Sequence, residues 1–237
     1  TLVELSGLLI IIAIGAWAIA GGQGDVSRAW TFEATGERGM FWGVIAATTL
    51  AFFAMVGFED SVNMAEESKD PSRIFPKVLL TGLGITGLIY LLVSVSAITL
   101  VPAAELSEGE TPLLKVVQAG WPTFPISIFG IITMFAVANS ALINMLMASR
   151  LIYGMSREGV LPSVFGHVHG IRHTPDPAII FTSILAVALI LFAGGVPELG
   201  GTTSLLLLCV FTVVNVAVLV LRRDPVSHDH FRTPTVL

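Results

Sequence analysis

The sequence predicts an all-α fold, a polytopic bundle of transmembrane helices, and three observations carry that prediction. Hydrophobic residues make up 54% of the chain and charged residues only 12%, where soluble domains carry about 25% charge. The mean hydropathy is +0.86. The apolar residues also fall in runs of the length that crosses a bilayer, about 20 residues. The net charge of −5 is spread over the polar connections and points to no nucleic-acid partner. The single cysteine, Cys209, allows no internal disulfide.

Six spans are predicted within a single transmembrane domain, over residues 2–20, 40–65, 76–101, 125–153, 177–195 and 202–221. The first is an apolar run with one acid, Glu4, near its start. The second is apolar for two-thirds of its length and then changes character at Gly57, Glu59 and Asp60. The third is opened by Pro76, placed in the first turn, where a missing N–H costs nothing. Asp70 and Pro71, just ahead of it, read as the cap and first residue of a short separate turn of helix. The fourth carries Ala136, Ser140, Asn144 and Ala148 at a spacing of four, hence on one face. The fifth, from Ala178 to Ala193, is short, and the sixth is an uninterrupted apolar run. The chain begins at Thr1 without the layout of a signal peptide and reads as an interior fragment.

The connections alternate in charge. Arg28, Arg38 and Lys115 lie on one side. Lys69, Arg73, Lys77, Arg150, Arg157, Arg172, Arg222, Arg223 and Arg232 lie on the other. By the positive-inside rule, the connections after the second and fourth spans and the C-terminal segment are cytoplasmic. The second span then runs from outside to inside.

That second span holds the candidate site. Charge inside an apolar span is costly and usually faces a cavity or a partner. If the helix unwinds near Phe53–Gly57, its first half ends in carbonyls and its second half begins with N–H groups, which carry opposite partial charges. Within a membrane these groups must be satisfied by protein, water or ligand. A small zwitterion meets both, its ammonium on the carbonyls and its carboxylate on the N–H groups. Gly57 allows the turn and a close approach, and Phe53 and Phe58 stand ready to wall the pocket. The competing reading is an intact helix in which Gly57 is a packing contact and the acids lie at the membrane interface.

The residues here resemble the amino acid–polyamine–organocation superfamily of transporters. The run Met55-Val56-Gly57-Phe58-Glu59, followed by Ala65-Glu66-Glu67 and by Lys69-Asp70-Pro71-Ser72-Arg73-Ile74-Phe75-Pro76, is similar to the family's sixth helix and the loop after it. Ala148-Ser149-Arg150, Tyr153, Met155 and Arg157-Glu158-Gly159 through Pro162 resemble the end of its eighth helix. Phe231-Arg232-Thr233-Pro234 resembles the segment before its eleventh. The resemblance covers nearly the whole chain. It implies that the six spans correspond to the fifth to tenth helices, the second half of an inverted-repeat fold of the leucine-transporter type with one discontinuous helix. The family's first helix, the other broken one, would lie outside the chain.

The resemblance also implies roles. Phe53 caps the substrate from outside. Ala54 and Val56 turn backbone carbonyls toward the substrate amine, Met55 lies between them, and Gly57 follows the break. Glu59 helps to close the inner part of the site. Asn144 approaches the substrate side chain, and Ser140 shares its face; for both, an interhelical hydrogen bond without ligand contact is the alternative. Glu4 sits near a position where some family members carry a lysine tied to ion coupling. It is a possible coupling residue, or an interfacial acid near the start of its helix.

The function so implied is a secondary active transporter of amino acids or related amines, working by alternating access in the plasma membrane, with the proton as a candidate coupling ion. A non-transporting sensor or assembly module on the same fold is the alternative. No nucleophile motif, phosphate loop or cofactor signature is present, so neither an enzyme nor a cofactor is expected. His167, His169 and His173 lack a well-spaced partner, so no metal site is expected.

Overall fold

A computed structural model describes residues 2–31, 39–59, 69–109, 111–192 and 196–222. Its regular structure is helical: α1 (Leu2–Ala20), α2 (Gly39–Met55), α3 (Pro71–Leu100), α4 (Ala103–Leu106), α5 (Pro112–Gly120), α6 (Ile126–Arg157), α7 (Asp176–Phe192) and α8 (Val196–Leu221). Short 3-10 turns lie at Val26–Ala29 and Ser163–Gly166. By length and composition α1, α3, α6 and the part of α8 from Leu199 are long and apolar enough to cross a membrane. With α2 and α7, shorter apolar helices, they define an integral membrane protein.

The helix limits differ from the sequence expectation in instructive places. The second span, expected to run to residue 65, is α-helical only to Met55. Its 17 residues reach about 26 Å at 1.5 Å per residue, short of the roughly 30 Å hydrocarbon layer. The third helix starts at Pro71 rather than Pro76, so the expected separate turn is its first turn. Asp70 opens it: its carbonyl accepts the N–H groups of Arg73 and Ile74, and its carboxylate accepts the Ser72 hydroxyl at 3.1 Å. Pro76 is then an interior proline close enough to the N-terminus to be carried. The fourth helix continues to Arg157 and the sixth starts at Val196. Asp60, Glu66, Glu67 and Phe231–Pro234 lie outside the described residues.

The chain divides into two compact units, one of residues 1–31 and 91–193, the other of residues 32–90 and 194–237. In the first unit α1 is the central strut. Its buried Ile11, Ile14 and Ala18 join Val116 and Val117 of α5 and Ala97 of α3 in a small apolar core. Close approach depends on missing side chains. A Cβ at Gly15 would collide with Ser96 of α3, one at Gly120 with Ile14, and one at Gly7 would lie 2.9 Å from an Ile132 methyl of α6. Small residues at helix contacts are how apolar helices associate where lipid removes the hydrophobic drive.

The helix ends are closed by local chemistry. At the end of α1 the Gln23 N–H bonds Ala18 O and the Gly22 N–H bonds Ile19 O, a Schellman cap that needs the positive φ of Gly22. Beyond it, Asp25 caps the following 3-10 turn through the Ser27 N–H and hydroxyl. The Ser27 hydroxyl bond is the main reason that this carboxyl titrates below the usual aspartate range. The cap is therefore held at neutral pH and lost as pH falls through that lowered value. The α6 terminus repeats the Schellman arrangement, with Val160 N–H on Met155 O and Gly159 N–H on Ser156 O. The Ser156 hydroxyl then donates to Pro162 O at 2.8 Å. In the loop that follows, the His169 Nδ1 accepts the N–H groups of Ile171 and Arg172 at 3.3 Å each. That imidazole nitrogen is used as a loop staple. Among the described residues no three His, Cys, Asp or Glu side chains cluster as metal ligands.

The glycine contacts give a direct test. Gly15→Val should lower stability by about 1–3 kcal/mol through overpacking against Ser96. Gly43→Ala, where an added Cβ meets nothing within 4 Å, should be neutral or stabilising by up to about 1 kcal/mol. Thermal unfolding of the two variants in detergent separates these outcomes.

The interrupted helix and the cleft beside it

The candidate site lies in the second unit, at the end of α2. The last turn tightens, with Val56 N–H on Phe53 O at 3.1 Å, and Gly57 takes φ +117°, a backbone conformation that side-chain-bearing residues rarely adopt. The helix cannot continue through that residue. The Gly57 N–H, turned out of the helical ladder, donates to Glu59 Oε2 at 2.8 Å. A carboxylate thus meets a backbone N–H next to the interruption.

The helix α8 buttresses this end. The ring of Phe211 lies against both Phe52, at 6.2 Å between centroids, and Phe58, at 5.6 Å, and so touches residues on either side of the interruption. Phe53 packs over Gly200, where an added Cβ would lie 3.1 Å from the ring. The fully buried Ser204 donates to Gly200 O at 2.9 Å and reaches Thr49 O at 3.4 Å.

On another side of the α2 terminus is a cleft of about 330 Å³. Ala54, Met55, Val56 and Phe58 form one wall, and the face of α3 from Phe75 to Tyr90 forms the other. Its size is at the lower end of the range for small-molecule sites, about 300–1,000 Å³. Of the residues proposed from sequence to bind substrate, Ala54, Met55 and Val56 border this cleft, Gly57 adjoins it in sequence, and Phe53 is held on α8.

The remaining candidates lie in the first unit. Glu4 of α1 accepts a hydrogen bond from Asn139 Nδ2 at 2.8 Å, with the Ser140 hydroxyl at 3.4 Å. The carboxylate is half-buried and engaged with α6, as expected of an acid within an apolar span. Asn144 donates within its own helix to Ser140 O at 2.9 Å. Both Ser140 and Asn144 are exposed among the described residues, although the Ser140 hydroxyl reaches Glu4 of α1. Neither Asn139, which falls off the stripe of small and polar residues on α6, nor Phe211, Gly200 and Ser204 of α8 is singled out by the sequence pattern. The glycine pair at 200–201 with a serine four residues after the first was the available signal for a close helix contact.

A set of apolar helices of membrane-crossing length, one of them ending early beside a cleft, defines the class: a polytopic integral membrane protein. Residues 1–236 match the family model described as amino acid permease, and the chain belongs to that family, whose members are transporters and not enzymes. It is 29% identical over 199 residues to a branched-chain amino acid permease of Bacillus subtilis, covering 83% of this chain and 42% of that protein. It is 31% identical over 201 residues to a methylthioribose transporter of the same organism, covering 82% and 42%. To a vacuolar cationic amino acid transporter of Arabidopsis thaliana it is 28% identical over 229 residues, covering 95% and 35%. The chain thus spans well under half the length of these relatives.

The Glu4 contact is testable by a double-mutant cycle. Glu4→Gln and Asn139→Ala, singly and together, should show a coupling energy of about 1 kcal/mol in detergent unfolding, the scale of polar contacts between membrane helices. A coupling of zero would mean that the two side chains act independently.

Proposed function

We propose that this chain is part of a secondary active transporter that moves amino acids or related amines by alternating access around the end of α2. The observation that carries the reading is the termination of α2 at Met55, beside a cleft of ligand size, in a chain of the amino acid permease family. A helix end inside an apolar span leaves carbonyls without intrahelical partners, and a substrate ammonium is a fitting partner for them. Ala54, Met55 and Val56 supply that end. Gly57 supplies the turn, and its N–H, held by Glu59, marks where a carboxylate group is welcome. Glu59 acts as the inner gate by exchanging this bond for others. Phe53 shapes the outer side.

The relatives are described as a branched-chain amino acid permease, a methylthioribose transporter and a cationic amino acid transporter. Amino acids or related amines are the substrate class that the site chemistry supports for this chain. Glu4, bound to Asn139 and Ser140, is the proposed coupling residue, with the proton as the ion. The basic residues place the segments around Lys69–Lys77 and Arg157–Arg172 and the C-terminus in the cytoplasm, with the plasma membrane as the host membrane.

Gly57→Leu tests the site. In cells expressing the complete gene, the variant should reach the membrane in normal amount and lose uptake of labelled amino acids, because its backbone is strained by about 1–3 kcal/mol at the interruption and its side chain fills the approach. Uptake at the wild-type rate would refute the site.

A further inference from the structure

All four tryptophans of the chain, Trp17, Trp30, Trp42 and Trp121, fall at span ends or in connections on the side that the positive-inside rule makes external. The opposite end of the first unit carries Arg150, Arg157 and Arg172 and no tryptophan. Trp17, Trp30 and Trp121 belong to that first unit, and its packing fixes their level. A Cβ at Gly120 of α5 would meet both Ile14 of α1 and Leu100 of α3. A Cβ at Gly24 would lie 3.3 Å from Leu100, and the Asp25 N–H donates to Thr99 O at 2.9 Å. One layer therefore joins the ends of α1, α3 and α5. Trp17 stands about 4.5 Å beyond Ile14 at 1.5 Å per residue, and Trp121 directly follows Gly120. Trp30 closes the 3-10 turn that Asp25 caps, within about 10 Å of the layer at 2.0 Å per residue.

The three rings project from this layer. Trp17 is 80% exposed, Trp30 79% and Trp121 52%. The Trp121 indole N–H donates to Thr123 Oγ1 at 2.8 Å, and its ring lies 5.5 Å from that of Phe124. An indole joins a large apolar area to a single N–H donor. Water suits the first poorly and hydrocarbon the second, whereas the boundary between headgroups and acyl chains suits both. The described bases of this end are engaged within the protein. Arg28 lies 3.6 Å from the Asp25 carboxylate, and Lys115 donates to the carbonyls of Glu105 and Glu108. The side chains of Glu105 and Glu108 are exposed and would repel a lipid phosphate. What this end offers a membrane is aromatic surface rather than positive charge.

We propose that Trp17, Trp30 and Trp121 form a belt that seats this end of the first unit in the ester and headgroup region of the outer leaflet, and that the belt recognises phospholipid by its polar–apolar boundary and not by headgroup charge. The inference rests on the membrane placement and sidedness given above and is independent of the solute carried. Trp42, in the first turn of α2 with its ring 5.6 Å from that of Phe41, gives the second unit an anchor of the same kind.

The test is depth-dependent quenching of tryptophan fluorescence in the complete protein. It is reconstituted into phosphatidylcholine vesicles that carry bromine near the ester end, at the middle or at the end of the acyl chains. Trp17→Phe, Trp30→Phe and Trp121→Phe are compared singly with the wild type, so that each difference reports one ring. Tyrosine at the same position, which keeps an amphipathic ring, replaces any variant that fails to reconstitute. Each lost component should be quenched most by bromine near the ester end and least by bromine at the chain end. The profile should be unchanged when phosphatidylglycerol is added or the salt is raised. Iodide added outside sealed, right-side-out vesicles should quench the same components. Rings that no brominated lipid quenches are covered by protein, which overturns the belt. Strongest quenching from the chain end overturns it too, because the rings then lie in the hydrocarbon. A profile that appears only with phosphatidylglycerol overturns recognition without charge. Iodide quenching only from within overturns the outer placement. None of these outcomes depends on uptake, so failure of the transport reading and failure of the belt are told apart.

Discussion

The constraint on which the site depends is that backbone polar groups inside an apolar span must find partners. A continuous helix meets it residue by residue. At Met55 this chain stops meeting it, because Gly57 adopts a φ of +117° and takes its N–H out of the ladder. The protein answers part of the demand itself, through the Glu59 carboxylate on Gly57 N–H and the 3-10 bond from Val56 to Phe53. What a helix terminus leaves over is what a zwitterionic ligand is equipped to satisfy. Placing such an end in lipid-like surroundings is costly in the empty state, and in the proposed transport reading a bound ligand offsets that cost.

The neighbouring helices are arranged around that end. On α8, Phe211 spans the interruption through Phe52 and Phe58, and Gly200 lets Phe53 lie close, so the last turn of α2 is braced although its own ladder has ended. On α3 the packing is looser, and a cleft remains. Bracing on one side and space on another keep the helix end fixed while leaving it reachable. In the other unit, α1 is held by glycine contacts with α3 and α6, and its carboxylate by Asn139. There, missing side chains serve close packing.

Much of this was legible in the sequence because membrane physics leaves few choices. Apolar length marked the spans, and Gly57 followed by Glu59 marked the place where a helix could not simply continue. The stretch Ser156–Pro162 was legible as a motif, and the Schellman cap on Gly159 with the Ser156–Pro162 bond gives its physical reason. Other parts were hidden for identifiable reasons. Pro76 looked like a start because proline at a first helical position is common, but Pro71 fills that role with Asp70 as its cap. The helix α5 was missed because nine residues are too few to stand out between longer apolar runs. There Val116 and Val117 are fully buried, and Lys115 donates to the carbonyls of Glu105 and Glu108. Asn139 was passed over because a four-residue stripe captures one helix face, whereas Glu4 reaches α6 beside that face. Contacts such as Phe211 with Phe52 join residues far apart in the chain, and no local pattern announces them.

The central claim is that an amino acid completes the hydrogen bonding of the α2 terminus. Hydrogen–deuterium exchange of the segment from Phe53 to Glu59, in the complete protein with and without saturating leucine, measures this most directly. The account predicts that the amides of this segment, taken together, exchange measurably slower when leucine is bound and the helix end is held, while the buried middle of α1 is unchanged. Identical exchange in that segment, under conditions where leucine binding is demonstrated independently, would contradict it.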